Sequence, residues 1–108
     1  MNIGKLNRRV SLQKLGPAQD SAGQPTQQWT EFAKPWADIR FVSGKEFATA
    51  GSEASSATAS IRLRYREDVT PAMRVVYRSS IFNIVAILPD ESGHEYVDLA
   101  CTTGANNG

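Results

Sequence analysis

Two side chains of the kind most often recruited as nucleophile or base occur once each in this sequence, His94 and Cys101. A nucleophile and its base must lie within hydrogen-bond reach, with a third group holding the base in place. His94 sits in the polar run Glu91-Ser92-Gly93-His94-Glu95, which reads as a turn, and Cys101 ends the segment Tyr96 to Cys101, which reads as a strand. Neither has a partner at motif spacing, so His94 is expected to be a solvated turn residue. The carboxylate pairs Glu67-Asp68 and Asp90-Glu91 are sequence neighbours; on a strand such neighbours point to opposite faces and cannot flank one substrate atom. They too are expected in turns. A single cysteine excludes an internal disulfide or a multi-cysteine zinc site, and a single histidine excludes a multi-histidine metal site. The scattered glycines form neither G-x-G-x-x-G nor G-x-x-x-x-G-K. The expectation is a protein that is not an enzyme and holds no metal or cofactor.

The arginines are more informative. Arg62, Arg64, Arg66, Arg74 and Arg78 fall close together, and the first three share one face of an alternating segment. Such a stripe could hold phosphate. A surface that binds single strands by stacking would interleave aromatic side chains on the same face, yet Tyr65 points away from Arg64 and Arg66. Twelve Lys+Arg against eleven Asp+Glu give a net charge of +1, far from the strongly basic balance of most nucleic-acid binders. The five arginines are therefore read as a solvated or subunit-contact face, and an OB-like barrel binding single-stranded nucleic acid is the alternative. Lys5, Arg8, Arg9 and Lys14 occupy residues 1–19 without an acid, and Asp90, Glu91, Glu95 and Asp98 occupy 82–101 without a base. This segregation fits contact between copies, or pairing on adjacent strands of one copy.

What must position these residues is mostly β-structure. At 108 residues, 41% of them hydrophobic, the chain makes one domain with one core. Ile61, Leu63 and Tyr65 alternate with Arg62, Arg64 and Arg66; Val10 and Leu12 alternate with Arg9, Ser11 and Gln13. Trp29 and Phe32 mark another strand, and Trp36 to Val42 places Ile39 and Phe41 on one face. Met73, Val75 and Tyr77, then the run from Ile81 to Leu88, then Tyr96 to Cys101 complete six or seven strands. Residues 16–26, rich in Gly, Pro, Ser and Asp, read as a long hairpin loop. Ser43-Gly44-Lys45-Glu46 has the spacing of a reciprocal helix-start cap, so a short helix is expected there. Between Ala48 and Ser60 every residue except Glu53 is Ala, Ser, Thr or Gly, too little apolar area to offset ordering, and the stretch reads as a mobile arm. Trp29 and Trp36 are assigned to the core, since each can remove some 150–250 Å² from water. No apolar run approaches the roughly 20 residues of a spanning helix and the polar start has no signal-peptide core, so the expected location is cytoplasmic.

The order of residues also resembles a known family. G-K-L-N-R-R-V-S-L-Q at 4–13, Asp20 and Gly23, Trp29, W-A-D-I at 36–39 and S-G-K-E at 43–46 are followed by I-R-L-R-Y-R-E-D-V-T-P-A-M-R-V-V-Y at 61–77 and I-F-N-I at 81–84. The likeness to the head-tail joining, or head-closure, proteins of long-tailed bacteriophages and prophages covers residues 4 to about 100. It implies a small β-barrel domain over 1–101 with one short helix and a long mobile loop, followed by a flexible tail at 102–108. It further implies a dodecameric ring beneath the portal that extends the DNA exit channel, receives tail proteins, and lets packaged DNA through without gripping it. Such a protein would be assembled in the host bacterial cytoplasm and retained in the virion.

In some relatives the segment matching 41–57 enters the channel as a stopper, which makes Glu46, Ala50, Glu53, Ser55 and Ser56 the candidate channel residues. Here that segment carries small side chains, so a plug built from bulky ones is not expected. Arg62, Arg64, Arg66, Arg74 and Arg78 become candidate contacts to neighbouring subunits or the portal. Ser79-Ser80 stands where the family commonly has a glycine-containing turn.

Overall fold

A computed structural model describes residues 6–19, 25–42 and 56–103. They form eight strands: β1 (Arg8–Arg9), β2 (Ser11–Gln19), β3 (Pro25–Ala33), β4 (Trp36–Phe41), β5 (Ala59–Arg64), β6 (Arg74–Tyr77), β7 (Ser80–Pro89) and β8 (Tyr96–Thr103). All lie in one sheet of order β1-β4-β5-β8-β7-β6-β2-β3, antiparallel throughout. Only Val10 separates β1 from β2, so one stretch of chain pairs with β4 through Arg8↔Ala37 and with β6 through Ser11↔Val76. The sheet therefore curls until its N-terminal strand bridges both ends of the run β4-β5-β8-β7-β6. Val10 N–H donates to the Pro35 carbonyl at 3.0 Å at that bridge, and the Val10 side chain points inward at 1% exposure.

The interior is the dry half of each alternation. Val10 and Leu12, Ala37, Ile61 and Leu63, Val75, Phe82 and Ile84, Val97, Leu99 and Cys101 form one buried cluster, with Ile39, Met73, Tyr77 and Phe32 packed against it. Each fully buried Val, Leu or Ile contributes about 1.5–3 kcal/mol.

Several expectations are corrected. There are eight strands, one more than the upper count, and no α-helix occurs among the described residues; the helix expected from Ser43 lies outside them. Most of the expected hairpin loop at 16–26 is strand, because β2 and β3 stay paired through Gly16↔Gln28, Pro17↔Gln27, Ala18↔Thr26 and Gln19↔Pro25. Beyond Gln13, β2 is bonded only to β3, so a proline there interrupts no central ladder.

The last residues of the expected arm from Ala48 to Ser60 belong to the packed sheet end. Residues 48–55 lie outside the described residues, but Ala57, Ala59 and Ser60 are buried at 2%, 0% and 4%. Ala59 stands between Phe41 of β4 and Cys101 of β8, where strands pack closely and a small side chain fits. Trp36 is 51% exposed, because β4 turns Ala37 and Ile39 inward and Trp36, on the opposite phase, outward. Trp29 is half-buried on the β2–β3 ribbon rather than in the core cluster. At the C-terminus, β8 continues through Thr102 and Thr103, two residues into the expected tail.

Candidate assembly surface

The five arginines do not make one stripe. Arg62 and Arg64 lie on β5 and Arg74 on β6, with β8 and β7 between those strands; Arg66 follows β5, and Arg78 sits in the β6–β7 turn. Antiparallel register sets Arg62 opposite Asp98, and the pair is bidentate: Nε donates to Oδ1 at 2.7 Å and a terminal nitrogen to Oδ2 at 2.9 Å. The same guanidinium lies 3.7 Å from the centre of the Tyr96 ring. Its pKa is raised, chiefly by the hydrogen bond to Asp98, so it is firmly cationic. Arg66 grips Asp68 in the same way, at 2.6 and 2.9 Å, and that bond holds the Asp68 carboxyl below the usual carboxylate range.

Arg74 donates to Gln13 Oε1 at 2.8 Å, with its guanidinium 4.3 Å from the Trp29 ring centre. Arg78, at φ 55°, stands 5.2 Å from the Tyr77 ring, and Arg8 approaches that ring at 5.6 Å while donating to its hydroxyl at 3.3 Å. These cations lower the Tyr77 phenol pKa, the Arg8 hydrogen bond most of all. Arg64 is exposed at the end of β5.

Aromatic rings thus meet the arginines across strands: Tyr96 with Arg62, Trp29 with Arg74, and Trp36 with Arg9 at 5.3 Å. Sequence reasoning sought rings interleaved along the arginines' own strand and missed these, because the partners are set by register. The available signal was Tyr96 and Asp98 at alternate positions on a strand rich in apolar residues, which places a ring and a carboxylate on one outer face.

Of the residues proposed for the channel, Ser56 is exposed just before β5, and Glu46, Ala50, Glu53 and Ser55 lie outside the described residues. The base of that segment is closed: Val42 N–H donates to the Thr58 carbonyl at 3.0 Å, and Thr58 N–H to the Cys101 carbonyl at 2.8 Å. His94 is an exposed turn residue at φ 52°, its ring stacked on Tyr65 at 4.7 Å between centres. Asp90 organises that turn by accepting from Gly93 N–H at 3.3 Å and Glu95 N–H at 3.2 Å. Cys101 is buried, and desolvation pushes its thiol up to about 12, so it is a protonated core residue at neutral pH. Among the described residues no group of three His, Cys, Asp or Glu side chains could hold a metal ion.

Shallow grooves lie at both ends of the curled sheet. One, about 390 Å³, is lined by Phe41, Ser79, Ser80, Ile81, Phe82 and Thr103. An adjoining one of about 240 Å³ adds Arg8, Ile39 and Tyr77. Near the start of β4, Leu6, Pro35, Trp36, Arg64, Tyr65 and Arg66 line a third of about 380 Å³. Exposed rings beside cationic side chains over a rigid β-scaffold are the equipment of protein–protein contact, where aromatic and arginine side chains are enriched.

A curled β-domain built for contact is the class that fold and surface define. The chain belongs to the phage head completion protein family, whose model matches residues 1–104. It is 26% identical to head completion protein gp7 of Enterobacteria phage HK97 over 110 residues, covering 97% of this chain and 98% of that protein. Among solved structures it is similar to protein SF1141 from Shigella flexneri 2a, with a TM-score of 0.77 and 30% identity over 99% of this chain and 100% of the other. A chain in the virion of a native gene transfer agent particle shares the fold at a TM-score of 0.60 and 21% identity, covering 93% of this chain and 96% of that one.

Proposed function

We propose that this head completion protein forms a ring beneath the portal, closes the filled head, extends the DNA exit channel and presents the surface on which the tail docks. The observation that carries this reading is the family match over residues 1–104 together with nearly full-length similarity to gp7 of phage HK97. The ring is read as a dodecamer that contacts the portal on one side and tail-terminator proteins on the other, assembled in the host cytoplasm and kept in the virion. Its work is contact rather than catalysis, in keeping with a buried Cys101 and a His94 stacked on a surface tyrosine. The segment 41–57 is read as the one that reaches the channel. Supporting this, Val42 near the start of that segment and Thr58 just after it are joined by a backbone hydrogen bond.

DNA passes the ring without being held tightly. Arg62 and Arg66 carry their own counter-charges, and guanidiniums of the same chain already stand over Tyr96, Trp29 and Trp36. Arg64 and Arg78, exposed at strand ends, are the better candidates for subunit or portal contact. The reading is tested by complementation: purified protein added to a lysate of a phage lacking its gene should restore plaque-forming particles. A lysate that stays non-infectious although the added protein is folded and in excess contradicts it.

A further inference from the structure

The two adjoining grooves around Phe41 share Phe41, Ser80 and Phe82 and make one trough at the end of the barrel where β4 and β8 finish. Its walls are Ile39, Phe82, Ile81 and Phe41, and Phe41 is 74% exposed although its ring lies 6.3 Å from Phe82. A large apolar side chain left this open beside further apolar walls marks a contact site.

The rim is as distinctive as the floor. Arg8 and Arg78 approach the Tyr77 ring, and neither is ion-paired with a carboxylate among the described residues. The groove beside Trp36 differs in part: its Arg66 is neutralised by Asp68, although Arg64 also lines it. The pocket around Arg62 differs too, since Asp98 lines it and pairs with that arginine. Positive charge without an acidic partner among the described residues, beside an apolar trough, selects an occupant that supplies a carboxylate and an apolar side chain together. A phosphodiester chain would match the guanidiniums and leave Phe41 facing water.

We propose that the trough around Phe41, rimmed by Arg8 and Arg78, docks a segment of another virion polypeptide that carries an aromatic or branched aliphatic side chain within a few residues of an Asp or Glu. This rests on the reading of the chain as a virion protein. The test is photo-crosslinking in purified virions that carry Phe41→p-benzoylphenylalanine, followed by mass spectrometry of the linked peptides. A second variant, Ser79→p-benzoylphenylalanine, probes the same trough from an exposed position should the first fail to assemble.

The expected result is a crosslink to a different polypeptide, on a peptide with an acidic residue close to the linked apolar one. In an Arg8→Ala/Arg78→Ala background its yield should fall about fivefold, the size expected of two exposed ion pairs. A crosslink to DNA, to the same chain, to a second copy, or to a segment without acids overturns the proposal, as does a yield indifferent to the two arginines. If the protein is absent from virions, the virion reading falls along with it; if it is present and linked elsewhere, only the trough's assignment falls.

Discussion

The Asp68 carboxylate accepts two bonds from the Arg66 guanidinium, and this stabilises its charged form in the folded chain relative to the unfolded one. A depressed folded pKa contributes stability that is fully present above the ordinary Asp value of about 3.9 and is lost as pH falls through the folded value. Because the Asp68 side chain is 55% exposed, solvent screening limits the contribution to about 0.5 kcal/mol. Asp68→Asn should therefore lower stability by that amount in urea denaturation at neutral pH, and the two proteins should converge in acid well below the ordinary Asp value. A gap that persists in acid would assign the loss to something other than charge.

At this scale the sequence was readable where local spacing decides the outcome. Glu67, Asp68, Asp90 and His94 are indeed turn or loop residues, and Cys101 lies in a strand. It was unreadable where register decides: nothing adjacent to Arg62 announces Asp98, thirty-six positions away in the chain.

Among the elements, β5 shows how burial can hide in a composition that looks like a linker. Ala59 and Ser60 belong to the same apparent low-complexity stretch as residues 48–55, yet they are ladder partners of Phe41 and Arg40 on one side and of Cys101 and Ala100 on the other. A stretch poor in apolar area resists ordering only when it must supply its own contacts; here β4 and β8 supply them. Ala59→Leu should overpack that position and cost about 1–3 kcal/mol, seen as a lower urea midpoint. An unchanged midpoint would mean that the barrel end is loose and that the expected arm does extend to residue 60.

The strong alternation at Ile61 and Leu63 made the rest of β5 legible, because one face meets the core and the other meets water. The β2–β3 ribbon was not legible, because Gly16 and Pro17 carry turn chemistry that an edge ribbon tolerates. Trp36 was misplaced since size argued for burial, whereas its strand's phase is set by Ala37 and Ile39.

On the scale of the whole molecule, the N-terminal strand curls the sheet by pairing at both of its ends, and this fixes which features share an end of the barrel. The bonded pair Val42 and Thr58, the trough at Phe41 and the cations Arg8 and Arg78 belong together there. A net charge of +1 leaves little long-range repulsion between copies, which suits close packing around an axis. The central claim, that this protein completes filled heads so that tails can attach, is tested most directly by electron microscopy of lysates from a phage lacking its gene. The account predicts heads that have begun or finished packaging alongside separate, full-length tails, with no joined particles. Intact tailed virions, or empty capsids that never entered packaging, would contradict it.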